Sequence, residues 1–319
     1  MQFLKKIISF ILFSCLFFCF IVGIYAYKYD LDWADFPPPK FTSSFSFNDK
    51  LEFSRNKKAD IISVGSSMTL NNLSSNIVVN RFKSKLYLNL SSWGNKLKSD
   101  FDLLKIQTKI HTPKFLLIVS NIIDFTTKGK NELDENECDN QKVLKYLTSS
   151  NSIMYHLEYF NLKYYFNGCL LKKGYKSGRN FSLTLQYDPY GGTQIDPKNF
   201  EFHMERWNNS FIKKPEEKYY LYLDSVSKYC KKKNIQFFFL QSPTREKLLN
   251  KKDKKILLIH CEKVKNIVTL NDGYFVNSNE KSWGDSLFID GIHLNQNGAD
   301  LFTNYCFDKI PEKTLSNKY

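Results

Sequence analysis

The run Ala59-Asp60-Ile61-Ile62-Ser63-Val64-Gly65-Ser66-Ser67-Met68-Thr69 decides the fold. Ala59 to Val64 is short, apolar and rich in β-branched residues, as a strand buried on both faces is, and Gly65 permits a tight turn behind it. Ser67 to Phe82 then reads as a helix. The pair recurs: Lys85 to Leu90 reads as a strand, Lys96 to His111 as a helix, and Lys114 to Ser120 as a third strand. Strands alternating with amphipathic helices predict βαβ units and a parallel sheet. The rhythm stops after Phe125. Residues 126–214 are aromatic, polar and turn-rich, and read as an insertion forming a lid or substrate region. The rhythm resumes with a helix over Glu216 to Lys233, where Tyr219, Leu223, Val226 and Cys230 share one face. A strand over Ile235 to Leu240, a helix near Lys255 to Leu270, a short strand over Tyr274 to Val276 and a helix from Asn297 complete it. The expected organisation is an α/β core over 56–125 and 215–310, interrupted by the insertion and followed by a tail at 311–319.

Ahead of the core, Lys5 and Lys6 precede Ile7 to Tyr27, 21 residues without a charge. As a helix that run spans roughly 30 Å, the hydrocarbon thickness of a bilayer. Lysines before it and a long domain after it predict a single-pass, N-in anchor over 1–28, with the domain on the extracytoplasmic (periplasmic or extracellular) side. A signal peptide cleaved after Ala26 is the alternative; the run is long for one, and Ile24 is a poor small residue ahead of the cut. Pro37-Pro38-Pro39 and the Ser-rich stretch to Phe47 read as a tether over 29–55.

Composition narrows the function classes. Of 319 residues, 42% are hydrophobic and 16% aromatic, which excludes a disordered chain and allows a large core. Seven cysteines in that length exclude a disulfide-built miniprotein. Cys138 with Cys169 is the one pairing considered; buried thiols are the other reading, also for Cys230, Cys261 and Cys306. A net charge of +14 invites a nucleic-acid or acidic-membrane partner. Yet Lys, Asn, Phe, Ile and Tyr are enriched uniformly, as biased coding would produce, and no nucleic-acid module accompanies the lysines. No nucleic-acid partner is expected. Lys231-Lys232-Lys233 and Lys251-Lys252 read as helix-flanking lysines that suit solvent and a C-terminal dipole.

Two segments can carry chemistry, both just past strand ends, where α/β sheets place their sites. In Val64-Gly65-Ser66-Ser67-Met68-Thr69, a serine at a helix start is surrounded by backbone N–H groups that either are capped by it or stabilise an oxyanion. Thr69 replaces the second glycine of the Gly-x-Ser-x-Gly elbow. In Phe288-Ile289-Asp290-Gly291-Ile292-His293-Leu294-Asn295, an Asp three residues before a His can hold its Nδ1–H and leave Nε2 free to take a proton.

With these two segments the chain resembles the SGNH (GDSL-like) hydrolase superfamily, and more narrowly its membrane-anchored branch with the teichoic-acid D-alanine-transfer and alginate O-acetylation proteins. Gly65-Ser66-Ser67 matches the first block, with Ser66 replacing the usual Asp. Asn89-Leu90-Ser91-Ser92-Trp93-Gly94 matches the second, Val119-Ser120-Asn121-Ile122 keeps only the Asn of the third, and Asp290 and His293 match the fourth. The resemblance implies a flavodoxin-like three-layer α/β/α sandwich of SGNH type. It implies Ser67 as nucleophile, His293 as base, Asp290 as its orienter, and Ser67, Gly94 and Asn121 as oxyanion donors. It implies neither cofactor nor metal. The expected activity is transfer of an acyl group, acetyl by expectation, through acyl-Ser67 to a cell-envelope or exported polysaccharide, beside a multispanning membrane O-acyltransferase. An esterase deacylating a glycan or lipid, and a non-catalytic glycan-binding or assembly protein, are the alternatives.

Other residues weigh less. His111, His156, His203 and His260 lack metal-ligand spacing and a carboxylate partner, and read as surface or core histidines. Arg179, Tyr187, Arg206 and Trp207 in the insertion are candidate substrate contacts, with ordinary turn and packing roles beside that reading.

Overall fold

The computed structural model describes residues 2–29, 38–127, 139–150, 153–159, 161–176, 187–195 and 212–315. In chain order its elements are α1 (Gln2–Tyr29), α2 (Phe45–Ser54), β1 (Ile61–Ser63), α3 (Ser67–Asn72), α4 (Ser75–Phe82), β2 (Tyr87–Asn89), α5 (Leu97–Ile110) and β3 (Phe115–Ser120). Then come α6 (Asn140–Thr148), α7 (Ile153–Glu158), α8 (Leu162–Lys176), α9 (Glu217–Lys232), β4 (Gln236–Gln241), α10 (Lys251–Leu270), β5 (Tyr274–Asn277), α11 (Gln296–Asp308) and α12 (Glu312–Leu315). The chain divides into two compact units, Met1–Pro37 with Phe160–Thr184, and Pro38–Tyr159 with Leu185–Tyr319.

In the first unit, Gln2–Ile24 of α1 has a mean hydropathy of 2.8 and is long and apolar enough to cross a membrane. α8 belongs to the same unit.

The second unit holds five parallel strands in the order β2-β1-β3-β4-β5, the flavodoxin-like order. Alternate side chains feed two cores, as the pleat requires. Leu116 and Ile118 of β3 and Phe237 and Phe239 of β4 join one core with α5 and α9. Phe115, Leu117, Val119, Phe238 and Leu240 join the other with α4 and α11. The result is a three-layer α/β/α sandwich. The chain moves from β1 outward to β2, then back across to β3, so the direction reverses between β1 and β3. Loops leaving the carboxyl ends there part company and open a crevice.

Three expectations change. Ser67 to Phe82 is two helices, because Leu73 is extended and Ser74 starts again, its N–H donating to Thr303 Oγ1 at 2.9 Å. The tether is partly folded: Ser44 caps α2, whose Phe47 and Leu51, one turn apart, are buried in the core, while Asn48 ties down the backbone of Phe41 and Thr42. The insertion is not one body. Val143, Tyr146 and Leu147 of α6 are buried in the core, and residues 187–195 run beside β2, where Asn89 N–H donates to Tyr190 O at 2.7 Å.

Candidate active site

Ser66 and Ser67 have different hydrogen-bond partners. Ser66 is the N-cap of α3 and its hydroxyl accepts from Met68 N–H at 3.2 Å. Ser67, the first helical residue, has its own hydroxyl free of capping, 2.8 Å from His293 Nε2. His293 Nδ1 lies 2.7 Å from Asp290 Oδ2, and Asp290 Oδ1 accepts the N–H groups of Ile292 at 2.9 Å and His293 at 2.7 Å. The Ser–His–Asp relay is thus continuous, with Ser67 half-buried and Asp290 and His293 buried.

Burial opposes the Asp290 charge, but the His293 imidazole, by charge and hydrogen bond, and the two N–H donors outweigh it and hold the carboxyl below its ordinary value. A carboxyl depressed in the fold adds stability above its unfolded value and loses it as pH falls through the folded one. Asp290→Asn should therefore flatten the fall of melting temperature below about pH 4. Melts recorded from pH 3 to 7 check this; parallel wild-type and variant curves would refute it.

The loop after β2 approaches the same place. Ser92 N–H donates to Gly65 O at 3.0 Å, and the Trp93 ring is tilted over that of His293, 5.3 Å between centroids. Gly94 is exposed and left-handed, with φ 73°. Asn121 has protein partners of its own. It is fully buried, its Oδ1 caps the turn Ile122–Phe125, and its amide donates to Thr244 Oγ1 at 3.0 Å and Ser242 O at 3.5 Å. Its amide is engaged by the loop after β4.

No family model and no curated protein matches the chain. Solved structures do. A catalytic mutant of Axe2, an acetylxylan esterase from Geobacillus stearothermophilus, aligns at 11% identity and TM-score 0.42 over 83% of this chain and 98% of that one. The psychrotrophic esterase EstA from Pseudoalteromonas sp. aligns at 12% identity and TM-score 0.35 over 79% of this chain and 96% of that one.

Sequence reasoning missed Asn72. From α3 it accepts Leu294 N–H at 2.8 Å and donates to Ile292 O at 3.1 Å and Ser242 Oγ at 2.8 Å, so it grips the chain on both sides of His293. Its partners lie 170 to 222 positions away, beyond any local motif. Asn72→Ala should leave these buried groups unpaired and cost about 2–4 kcal/mol, read as a lower urea midpoint with an unchanged slope; an unchanged midpoint would refute it. Asp100 was missed too. It is buried on α5, takes the Asn95 amide at 2.7 Å and the Gly65 N–H, and so joins the two loops. Burial and the nearby Asp124 push its carboxyl well above the ordinary value.

The remaining candidates stand apart. Tyr187 packs edge-on to Phe53 of α2 at 5.2 Å, under the buried Lys50 ammonium 3.6 Å from its ring centre. Arg179, Arg206 and Trp207 lie outside the described residues, as do His203 and Cys138 with its pairing to Cys169. His111 does have a carboxylate partner, Asp60 at 2.9 Å. His260 is a core residue: burial lowers it to about 3, and its Nδ1 lies 2.8 Å from Tyr220 Oη. Cys230, Cys261 and Cys306 are buried thiols.

Proposed function

We propose that this chain is an SGNH-type serine enzyme that moves an acyl group, acetyl in the first instance, from an ester or thioester to a hydroxyl of a cell-envelope or exported polysaccharide. The observation that carries the reading is the Ser67–His293–Asp290 relay at 2.8 and 2.7 Å. In this reading His293 Nε2 takes the Ser67 proton as Oγ attacks the carbonyl. The Ser67 and Gly94 N–H groups receive the oxyanion, each worth about 3 kcal/mol of barrier. The imidazolium gives its proton to the leaving group, and Asp290 stays ionised throughout. The acceptor hydroxyl, deprotonated in turn by His293, then takes the acyl group from Ser67. α1 would anchor the chain with its second unit outside, beside a multispanning membrane O-acyltransferase as acyl donor.

Hydrolysis is the second reading, favoured by the partial exposure of Ser67 and the exposure of Gly94, which leave water a path to the acyl-serine. One assay separates them: an acyl ester is supplied with excess oligosaccharide and the products are weighed by mass spectrometry. Acyl-sugar supports transfer; free acid alone, with every acceptor tried, refutes it. The serine chemistry has its own test. Wild-type protein should be labelled by a fluorophosphonate probe and Ser67→Ala should not. Wild-type protein that resists the probe would overturn the enzymatic reading.

A further inference from the structure

α10 begins at Lys251, so Lys251 and Lys252 occupy its first turn, not a C-terminal one as their flanking position suggested. Cations there oppose the helix dipole. The Asn250–Asp253 capping box offsets part of that cost. Among the described residues Lys254 pairs with Glu246, whereas Lys251, Lys252 and Lys255 form no ion pair. One turn on, Leu258 and Ile259 lie on the same outward face and are 61% and 54% exposed. Helical spacing from Lys251 to Lys255 to Leu258 and Ile259 makes this one stripe. Behind the lysines these two neighbouring aliphatic side chains make a small apolar step on an otherwise basic face.

The stripe continues into a groove between α9 and α10 of about 630 Å³. Ile212, Pro215, Ile256 and Ile259 form its apolar walls, with Lys214 and Lys252 at the rim. Its acidic residues are engaged: Glu217 pairs with Lys263, and Asp253 caps its own helix.

The geometry points to a binding site for anionic phospholipid on the outward face of α10, the lysines meeting headgroup phosphates and Leu258 and Ile259 entering the acyl boundary. Three lysines against one exposed carboxylate on this face, Glu262 one turn beyond Leu258, select an anion, and the aliphatic pair selects lipid over a polysaccharide, which offers no apolar layer to enter. α1, apolar enough to cross a bilayer, would bring the chain to such a surface. The site is independent of the serine chemistry.

The test uses the full chain in nanodiscs of phosphatidylcholine, with or without roughly a third phosphatidylglycerol, and a neutral amine-acetylating reagent read by mass spectrometry. In the anionic discs Lys251, Lys252 and Lys255 should acetylate about tenfold more slowly, while Lys83 and Lys232, at the C-terminal ends of α4 and α9, react equally in both. A Leu258→Ser/Ile259→Ser variant with unchanged circular dichroism should lose most of that protection. Equal rates in the two discs would overturn the proposal. So would protection that the double variant keeps, or protection conferred in phosphatidylcholine discs by an added anionic polysaccharide instead of by lipid.

Discussion

His293→Ala should lower ester cleavage by roughly 10⁴–10⁶-fold while the protein stays folded. The argument rests on position. His293 Nε2 lies 2.8 Å from Ser67 Oγ, where a base would take the serine proton. A serine hydroxyl without a base is a poor nucleophile near neutrality. Two N–H donors and substrate binding would leave a residual rate, which is why the loss has a floor. Initial rates with an aryl acetate check it, alongside melting curves to confirm folding. A loss under about tenfold would mean that His293 is not the base, even if Ser67 reacts with the fluorophosphonate.

The second large effect is on stability. Gly65→Ala should cost about 3–5 kcal/mol and take activity with it. Gly65 has φ 147°, outside the range that L side chains favour, and a methyl group there would overlap Thr69 Oγ1 and stand 2.9 Å from Thr69 Cβ. Thr69 cannot yield easily. Its hydroxyl donates to Val119 O at 2.7 Å and accepts Val119 N–H at 2.9 Å, pinning α3 to β3. Thr69→Ala added to Gly65→Ala should recover only a small part of the loss, since the overlap with Oγ1 goes while the close approach to Cβ, the φ penalty and the loss of the Val119 bonds stay. Chemical denaturation of the single and double variants measures both. A single variant as stable as wild type would sink the argument.

The sheet was legible because buried strands such as Phe115–Ser120 are locally distinctive: short, apolar and bounded by polar breakers. The Asp290–His293 pair was legible for the same reason, since the two lie three positions apart and their bond is local. What was illegible depends on distant partners. The break between α3 and α4 answers to Thr303, and the grip of Asn72 answers to residues after β4 and before α11. A Ser-rich approach to α2 looked like linker because its apolar residues, Phe47 and Leu51, find their cover only in the folded core. The amide of Asn121 is taken up by Thr244, a contact no motif encodes.

The stitch made by Asn72 has a consequence in time as well as space. Ser67 is synthesised 226 residues before His293, and closing so long a loop is entropically slow compared with folding the local βα units. In the proposed reading a nascent chain carries Ser67 through 226 further residues without the base that would arm it. Reactivity would arrive as a late, single event, when Leu294 and Ile292 dock on Asn72, and appearance of serine labelling during refolding would time that last closure.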